Sequence, residues 1–355
     1  MRRRTLVCIF TLFCTAITSA QETEMQVAME AAFAFETFQN AEGNSTWRTG
    51  ERAKFGIRAR SGNNLVVEAR VESDFSGGSL TGDQVLRELS LSWSPASFAI
   101  LTAGKQNLKW GTARAFSSID ALDDSGTTPA PSTDPLDPSS TARGVTGLRA
   151  DILPVWWMSI SALALPAPVL LDSKLALRSE FLVGETDLAF GFIRSVGSNG
   201  KEQPAFIADG AHFFQRFGVY GEAQVLKKDD WRTSATGGLQ VDFPAWLNGT
   251  VTFLGEYRFK QENTAGIHMI YAGLSGIPLT RKLEAGISLL AAPDERQALC
   301  RAGLDWKISQ SMSADVGYEY LVDANTSETG HIYLFSDNPL MGSRHCVSAG
   351  VTAFY

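Results

Sequence analysis

The sequence predicts an all-β chain that closes on itself as an antiparallel transmembrane β-barrel of about 18 strands, or about 16 if two weak runs merge. Three observations carry that reading. Apolar and polar residues alternate with period two along almost the whole chain, in runs of about ten residues, the length that crosses a membrane as a tilted strand. Bulky aromatics gather at one end of those runs. The last run stops at Ala353-Phe354-Tyr355 with no tail behind it.

The N-terminus stands apart from this pattern. Met1-Arg2-Arg3-Arg4 is followed by the apolar run Leu6 to Ala16 and by Thr18-Ser19-Ala20, then by the polar Gln21-Glu22-Thr23-Glu24. A basic start, a short apolar core and small residues before a cleavage point describe a secretory signal peptide over residues 1–20, leaving 21–355 as one domain. Loss of Arg2, Arg3 and Arg4 takes 31 basic residues to 28 against 38 acidic ones, a net charge of −10. So acidic a chain is not expected to bind nucleic acid. Cys8 and Cys14 leave with the leader, and Cys300 and Cys346 do not make a disulfide framework or a zinc site. No stretch approaches the roughly 18 consecutive apolar residues of a membrane helix.

The strands follow in order. In Arg52 to Arg60, Ala53, Phe55, Ile57 and Ala59 take one face and Arg52, Lys54, Arg58 and Arg60 the other. Leu65, Val67, Ala69 and Val71 then oppose Glu68, Arg70 and Glu72, across the tight connection Ser61-Gly62-Asn63-Asn64. The pattern recurs to the end: Val251, Phe253 and Tyr257 oppose Thr252, Glu256 and Arg258, and Met312, Val316 and Tyr318 oppose Asp315 and Glu319. The expected strand starts lie near Met25, Glu51, Asn64, Gln84, Phe98, Ala142, Trp156, Ser173, Thr186, Pro204, Phe217, Arg232, Thr250, Ala265, Arg281, Gln297, Met312 and Arg344. Short connections such as Gly184-Glu185 and Gln215-Arg216 alternate with mostly longer ones, among them Gln39–Gly50, Ser76–Asp83 and Asp323–Ser343. Trp93, Phe98, Trp156, Trp157, Phe181, Phe214, Phe217, Phe243, Trp246 and Trp306 collect at the short-turn end, as in an interfacial girdle. Arg87 is the misfit: it shares parity with the apolar Val85, Leu89, Leu91 and Trp93, and either snorkelling from the loop end of its strand or a bulge that restores the alternation would accommodate it.

The regularity fails once at length. Gly104 to Gly111 still reads as strand, but residues 113–141 have no periodicity. They carry Pro129, Pro131, Pro135 and Pro138 and the acids Asp120, Asp123, Asp124, Asp134 and Asp137. Connections this long inside a compact domain are usually functional or disordered.

Leader, alternation and terminal strand together resemble the bacterial outer-membrane β-barrel proteins of porin size. Ser348, Gly350, Ala353 and Tyr355 fall where that group's C-terminal assembly signal places a polar residue, a glycine and a hydrophobic pair. The resemblance implies an outer-membrane location in a diderm bacterium with both termini periplasmic. It implies contact with outer-membrane lipids and the barrel assembly machinery, and a water-filled lumen narrowed by an inward-folded loop, the role expected of 113–141. It leaves open whether the barrel forms a homotrimer. A weaker resemblance, in strand count and basic wall alone, is to alginate-export barrels.

Charge placement suggests where selection would occur. By parity Arg52, Lys54, Arg58, Arg60, Arg70, Lys105, Lys109, Arg143 and Arg149 face inward, against few acids (Glu68, Glu72, Glu88 and Asp151). An acidic loop opposite a basic wall would set a transverse field across a constriction. The expected function is passive diffusion of small hydrophilic, and on this reading anionic, solutes. The alternatives are export of an anionic polysaccharide, a surface adhesin or an outer-membrane hydrolase. No catalytic activity, cofactor or metal is expected. His212, His268, His331 and His345 show no metal-ligand spacing. Gly104-Lys105 lacks the rest of a phosphate loop. The acid pairs Asp123-Asp124 and Asp229-Asp230 read equally well as solvated loop residues.

Overall fold

The computed structural model describes residues 23–40, 45–61, 64–74, 86–106, 108, 110–116, 119, 145–167, 169–197, 200–262, 265–294, 296–323 and 343–354, with the backbone course alone through residue 57. The described residues form eighteen strands: β1 (Thr23–Asn40), β2 (Ser45–Ser61), β3 (Leu65–Asp74), β4 (Leu86–Ala96), β5 (Ala99–Gln106), β6 (Val145–Val155), β7 (Met158–Leu165), β8 (Lys174–Val183), β9 (Thr186–Val196), β10 (Glu202–Phe214), β11 (Phe217–Lys227), β12 (Trp231–Pro244), β13 (Thr250–Glu262), β14 (Ala265–Pro278), β15 (Leu283–Ala292), β16 (Gln297–Ser309), β17 (Met312–Asp323) and β18 (Ser343–Phe354). The expected starts at Thr186, Phe217, Thr250, Ala265, Gln297 and Met312 coincide with the observed ones.

Each strand pairs antiparallel with the next, and β1 pairs both with β2 and, over Glu30–Asn40, with β18. The ladder therefore returns to its first strand, which removes the free edges that an open sheet would present. Two-residue turns such as Gly184-Glu185 and Gln215-Arg216 join alternate pairs at one rim. Gly184 (φ 65°) and Gln215 (φ 45°) supply the left-handed backbone that such turns need. The other rim carries the long connections, though 228–230 and 263–264 there are as short as any turn.

The wall is inverted relative to a water-soluble protein. Leu91, Trp93, Leu101, Leu148, Phe190, Phe206, Tyr257, Ile287, Leu304 and Val316 are exposed on the outer face, Leu148 at 61%. Ser90, Ser161, Arg178, Asp209, Glu222, Gln224, Thr236 and Glu256 are buried on the inner one. Alternation places each kind on its own face because successive side chains of a strand point to opposite sides of the sheet. Nine of the ten girdle aromatics are exposed, with Trp156 reaching 85%; Phe181 is half-buried.

One expectation changes here, and the bulge considered at Arg87 is present. Gln39–Gly50 is not a loop: β1 runs to Asn40 and β2 starts at Ser45, and the first residues of β2 pair only with β1. At Arg87 the register slips, since Arg70 pairs with Glu88 but Val71 with Leu86. Arg87 is thus the extra residue of a bulge, and Leu86 and Leu89 recover a common face. Cys300 is exposed on the outer face, and the register keeps it apart from Cys346, which pairs with Glu319.

Candidate functional site

The site is built where β5 ends. Gln106 is buried, and its side-chain amide donates to the carbonyls of Thr102 (3.4 Å) and Gly147 (3.1 Å). Beyond it, Trp110 to Phe116 turn inside the ring as a strap laid against the inner faces of β7 to β16. Two apolar clusters seat it. Trp110 and Ile119 pack with Leu163, Ala176, Ile193, Ala205 and Ile207. Ala115 and Phe116 pack with Ala211, Tyr220, Leu254, Met269, Tyr271, Leu290 and Leu299. The Phe116 ring meets that of Tyr271 edge to face, with centroids 6.5 Å apart.

Two carboxylates latch the strap. Ala113 N–H donates to Glu222 Oε2 at 3.0 Å. Arg114 N–H donates to Glu256 Oε1 at 2.6 Å, and Ala115 and Phe116 N–H to Glu256 Oε2 at 2.9 and 2.7 Å. Tyr220 Oη–H adds a fourth donor to Glu256 Oε1 at 2.6 Å. Glu256 is 3% exposed, and these four hydrogen bonds satisfy its carboxyl oxygens where water is largely excluded. Thr112 Oγ1 donates to the Gly221 carbonyl at 3.2 Å.

Two glycines make room for the latch. Gly238 lies between Tyr220 and Glu256 in register. A Cβ there would meet the Tyr220 ring at 2.4 Å, so its absence lets the phenol lie across β12 to reach Glu256. Gly111 has φ +110°, and a Cβ on it would fall 2.1 Å from Glu222 Oε2.

At the near end of the strap, Arg178 Nη2 bridges both oxygens of Asp209, at 2.9 and 3.0 Å. The Trp110 ring covers the guanidinium, 5.8 Å from its carbon to the ring centroid.

The site residues expected from sequence divide into groups. Asp120, Asp123, Asp124, Asp134, Asp137, Lys109, Arg143 and Tyr355 lie outside the described residues, as does the leader. Arg58 and Arg60 are exposed on the face that carries Glu68, and Arg52, Lys54 and Arg70 occupy the same set of register places. Arg149 faces inward, with its Nε 2.8 Å from Asp151 Oδ1. Ser348, Gly350 and Ala353 lie on β18.

Lys105 is a correction. It pairs with Leu89 and Thr146, whereas Arg149 pairs with Thr102, so Lys105 shares the face of Leu89 and not that of Arg149. Odd numbering does not carry across a turn and a long loop.

The sparsely compensated basic sector is a second correction. Arg58 pairs with Glu68, Arg60 with Glu24, Arg52 with Asp74, Lys54 with Glu30 and Glu72, and Arg70 with Glu88. The acids of β1 escape a reading confined to β2 through β6; the β1–β2 hairpin sets Glu24 beside Arg60 and Glu30 beside Lys54. The inner wall is also not uniformly charged, since the strap covers an apolar arc from β7 to β16.

No protein-family model matches the chain, and no curated protein is detectably similar to it in sequence. Solved structures are similar to it in fold. Wzi of Escherichia coli, described as an outer-membrane carbohydrate-binding β-barrel involved in group 1 capsule assembly, superposes with TM-score 0.61 at 13% identity, over 91% of this chain and 83% of its own. A BenF-like porin from Pseudomonas fluorescens Pf-5 gives 0.59 at 8% identity, over 94% and 99%. OccAB1 of Acinetobacter baumannii gives 0.57 at 7%, over 95% and 97%. The fold is that of bacterial outer-membrane β-barrels of porin size.

Proposed function

We propose that the chain is an outer-membrane channel for passive diffusion of small hydrophilic solutes, narrowed on one side by the strap 110–116. The observation that carries this reading is the inverted wall, apolar outside and charged inside, with a segment of the chain latched within the ring by Glu222 and Glu256. An apolar outer band suits lipid, and a polar interior suits water and solute. The leader over 1–20 and the terminal Ser348, Gly350, Ala353 and Tyr355 fit export and assembly there, with both termini in the periplasm. The channel needs no enzymatic step. The preference for anions expected of a basic wall loses its support once the register sets an acid beside each of those bases on β2 and β3.

Purified protein in a planar bilayer tests the proposal. Stepwise ohmic conductance is expected, and a folded barrel that never conducts would refute it. A second reading, passage of a polysaccharide, draws on the likeness to a barrel described as carbohydrate-binding. Under that reading soluble oligosaccharides added to the bilayer chamber block the current in a concentration-dependent way, whereas a simple diffusion channel is indifferent to them.

A further inference from the structure

Phe217 opens β11 in the exposed girdle at the short-turn rim, and the strand runs eleven residues to Lys227. At about 3.4 Å per residue and a tilt of about 40°, that climb is about 26 Å along the barrel axis. The apolar band of such a barrel is about 25 Å tall, so Lys227 marks its far boundary. A patch of the outer face is built there. Phe192 on β9, Phe206 on β10 and Trp231 on β12 form a ladder of exposed rings, with successive centroids 5.3 and 6.5 Å apart. Lys227 pairs with Trp231 in register and lays its ammonium over that ring, 5.8 Å from the centroid. Its neighbour Leu226 packs against the apolar cluster inside, which leaves Lys227 on the outer face. Lys228 follows, exposed, and its N–H donates to the Asp230 carbonyl at 3.1 Å. The connection from β11 to β12 is only residues 228–230, so the rim is low beside the rings.

The acids of this rim are mostly taken. Glu202 Oε1 lies 2.6 Å from Arg194 Nη2, and Asp229 Oδ1 lies 3.5 Å from Lys201 Nζ. Among the described residues neither Lys227 nor Lys228 has an ion pair. Counting Asp230, the rim sets Arg194, Lys201, Lys227 and Lys228 against Glu202, Asp229 and Asp230, an excess of base in a chain whose net charge is −7. Rings below and ammoniums above match the two parts of a lipid. Acyl chains lie along the rings, and the headgroup meets the bases at the height where the apolar band ends. Two bases side by side call for an anionic headgroup, and phosphate has oxygens enough to accept from both.

We infer that the outer face from β9 to β12 holds a lipid with a phosphate-bearing headgroup, Lys227 and Lys228 meeting the phosphate and Phe192, Phe206 and Trp231 lying along the chains. In the orientation proposed above, it is a lipid of the outer leaflet. Native mass spectrometry of the detergent-solubilised barrel tests this, with diphosphoryl lipid A and its dephosphorylated form as probes. The wild-type barrel retains one diphosphoryl lipid A and binds the dephosphorylated form about thirtyfold more weakly, the factor that two interfacial lysines supply. Lys227→Gln with Lys228→Gln brings the phosphorylated probe down to that level, whereas Lys307→Gln, at the opposite rim, leaves it unchanged. Equal retention of the two probes, or an undiminished adduct in the double variant, would overturn the inference. So would displacement by millimolar inorganic phosphate, which marks a site for a free anion, and so would a dimer in place of the adduct, which gives the patch to a second copy of the chain. The comparison of the two probes on the wild-type barrel decides the matter even where a variant fails to assemble. None of these readouts depends on conduction, so they stand or fall apart from the channel reading.

Discussion

At the scale of single residues, Glu256 governs the strap. It accepts from three consecutive peptide N–H groups and one phenol, all but the part-buried Arg114 bond being shut away from water. Glu256→Ala leaves those donors without an acceptor, at about 1–3 kcal/mol for each that stays buried, more than one strap segment can hold. The strap is expected to come off the wall, so that trypsin cuts after Arg114 in the assembled barrel and single-channel current rises and becomes noisy. Glu256→Gln keeps one acceptor oxygen and falls between the two. If Glu256→Ala leaves Arg114 uncut, the latch is not what holds the strap. Gly238 is the second sensitive place. Gly238→Ala drives a methyl into the Tyr220 ring and weakens the same latch, and the damage shrinks when Tyr220 is replaced by Leu in the same chain. Equal damage in both backgrounds would place the fault in β12 itself. None of this shows in the sequence. Glu256 reads as an ordinary inward place on an alternating strand, because three of its four partners are backbone groups, which leave no signature in residue type, and the fourth, Tyr220, lies two strands away.

At the scale of elements, the strap and the wall it covers form one packing unit. Trp110 fills the near cluster and shields the Arg178–Asp209 pair, and Phe116 fills the far one. Large-to-small changes at buried aromatics cost about 3–5 kcal/mol where the site cannot collapse. Phe116→Ala is expected to loosen the far end of the strap alone, raising current noise without exposing Trp110. Trp110→Ala loosens the near end and uncovers a buried ion pair. Iodide quenching of tryptophan fluorescence reads the first case: unchanged Trp110 quenching in Phe116→Ala supports independent ends, and a marked rise argues for one cooperative strap. Strands were the legible elements, since period two survives wherever one face meets lipid and the other water. β2 was read as starting at Glu51 and starts at Ser45, because Ser45-Thr46-Trp47-Arg48-Thr49-Gly50 lacks a clean apolar face and pairs only with β1. The long loop was visible as a break in periodicity. Its seat was not, since an apolar inner arc from Leu163 to Leu299 is scattered over nine strands.

At the scale of the whole molecule, the ring and the strap are separable. Every strand has two hydrogen-bonded neighbours, and β1 with β18 completes the set, so opening the barrel means breaking whole ladders in lipid or detergent, where exposed backbone groups find no substitute partners. The protein is therefore expected to migrate as a compact band without boiling and to shift when boiled. The strap contributes no strand to that ladder. Glu256→Ala should accordingly keep the compact band, with its shift temperature close to that of the wild type, even as Arg114 becomes accessible to trypsin. The two readouts on one sample decide what the strap is for. A compact band with a cleaved strap identifies an insert that shapes the passage and leaves the barrel standing. A band that runs as unfolded before boiling would mean that the apolar arc needs the strap as its core, and that the narrowing of the lumen is a by-product of holding the wall together.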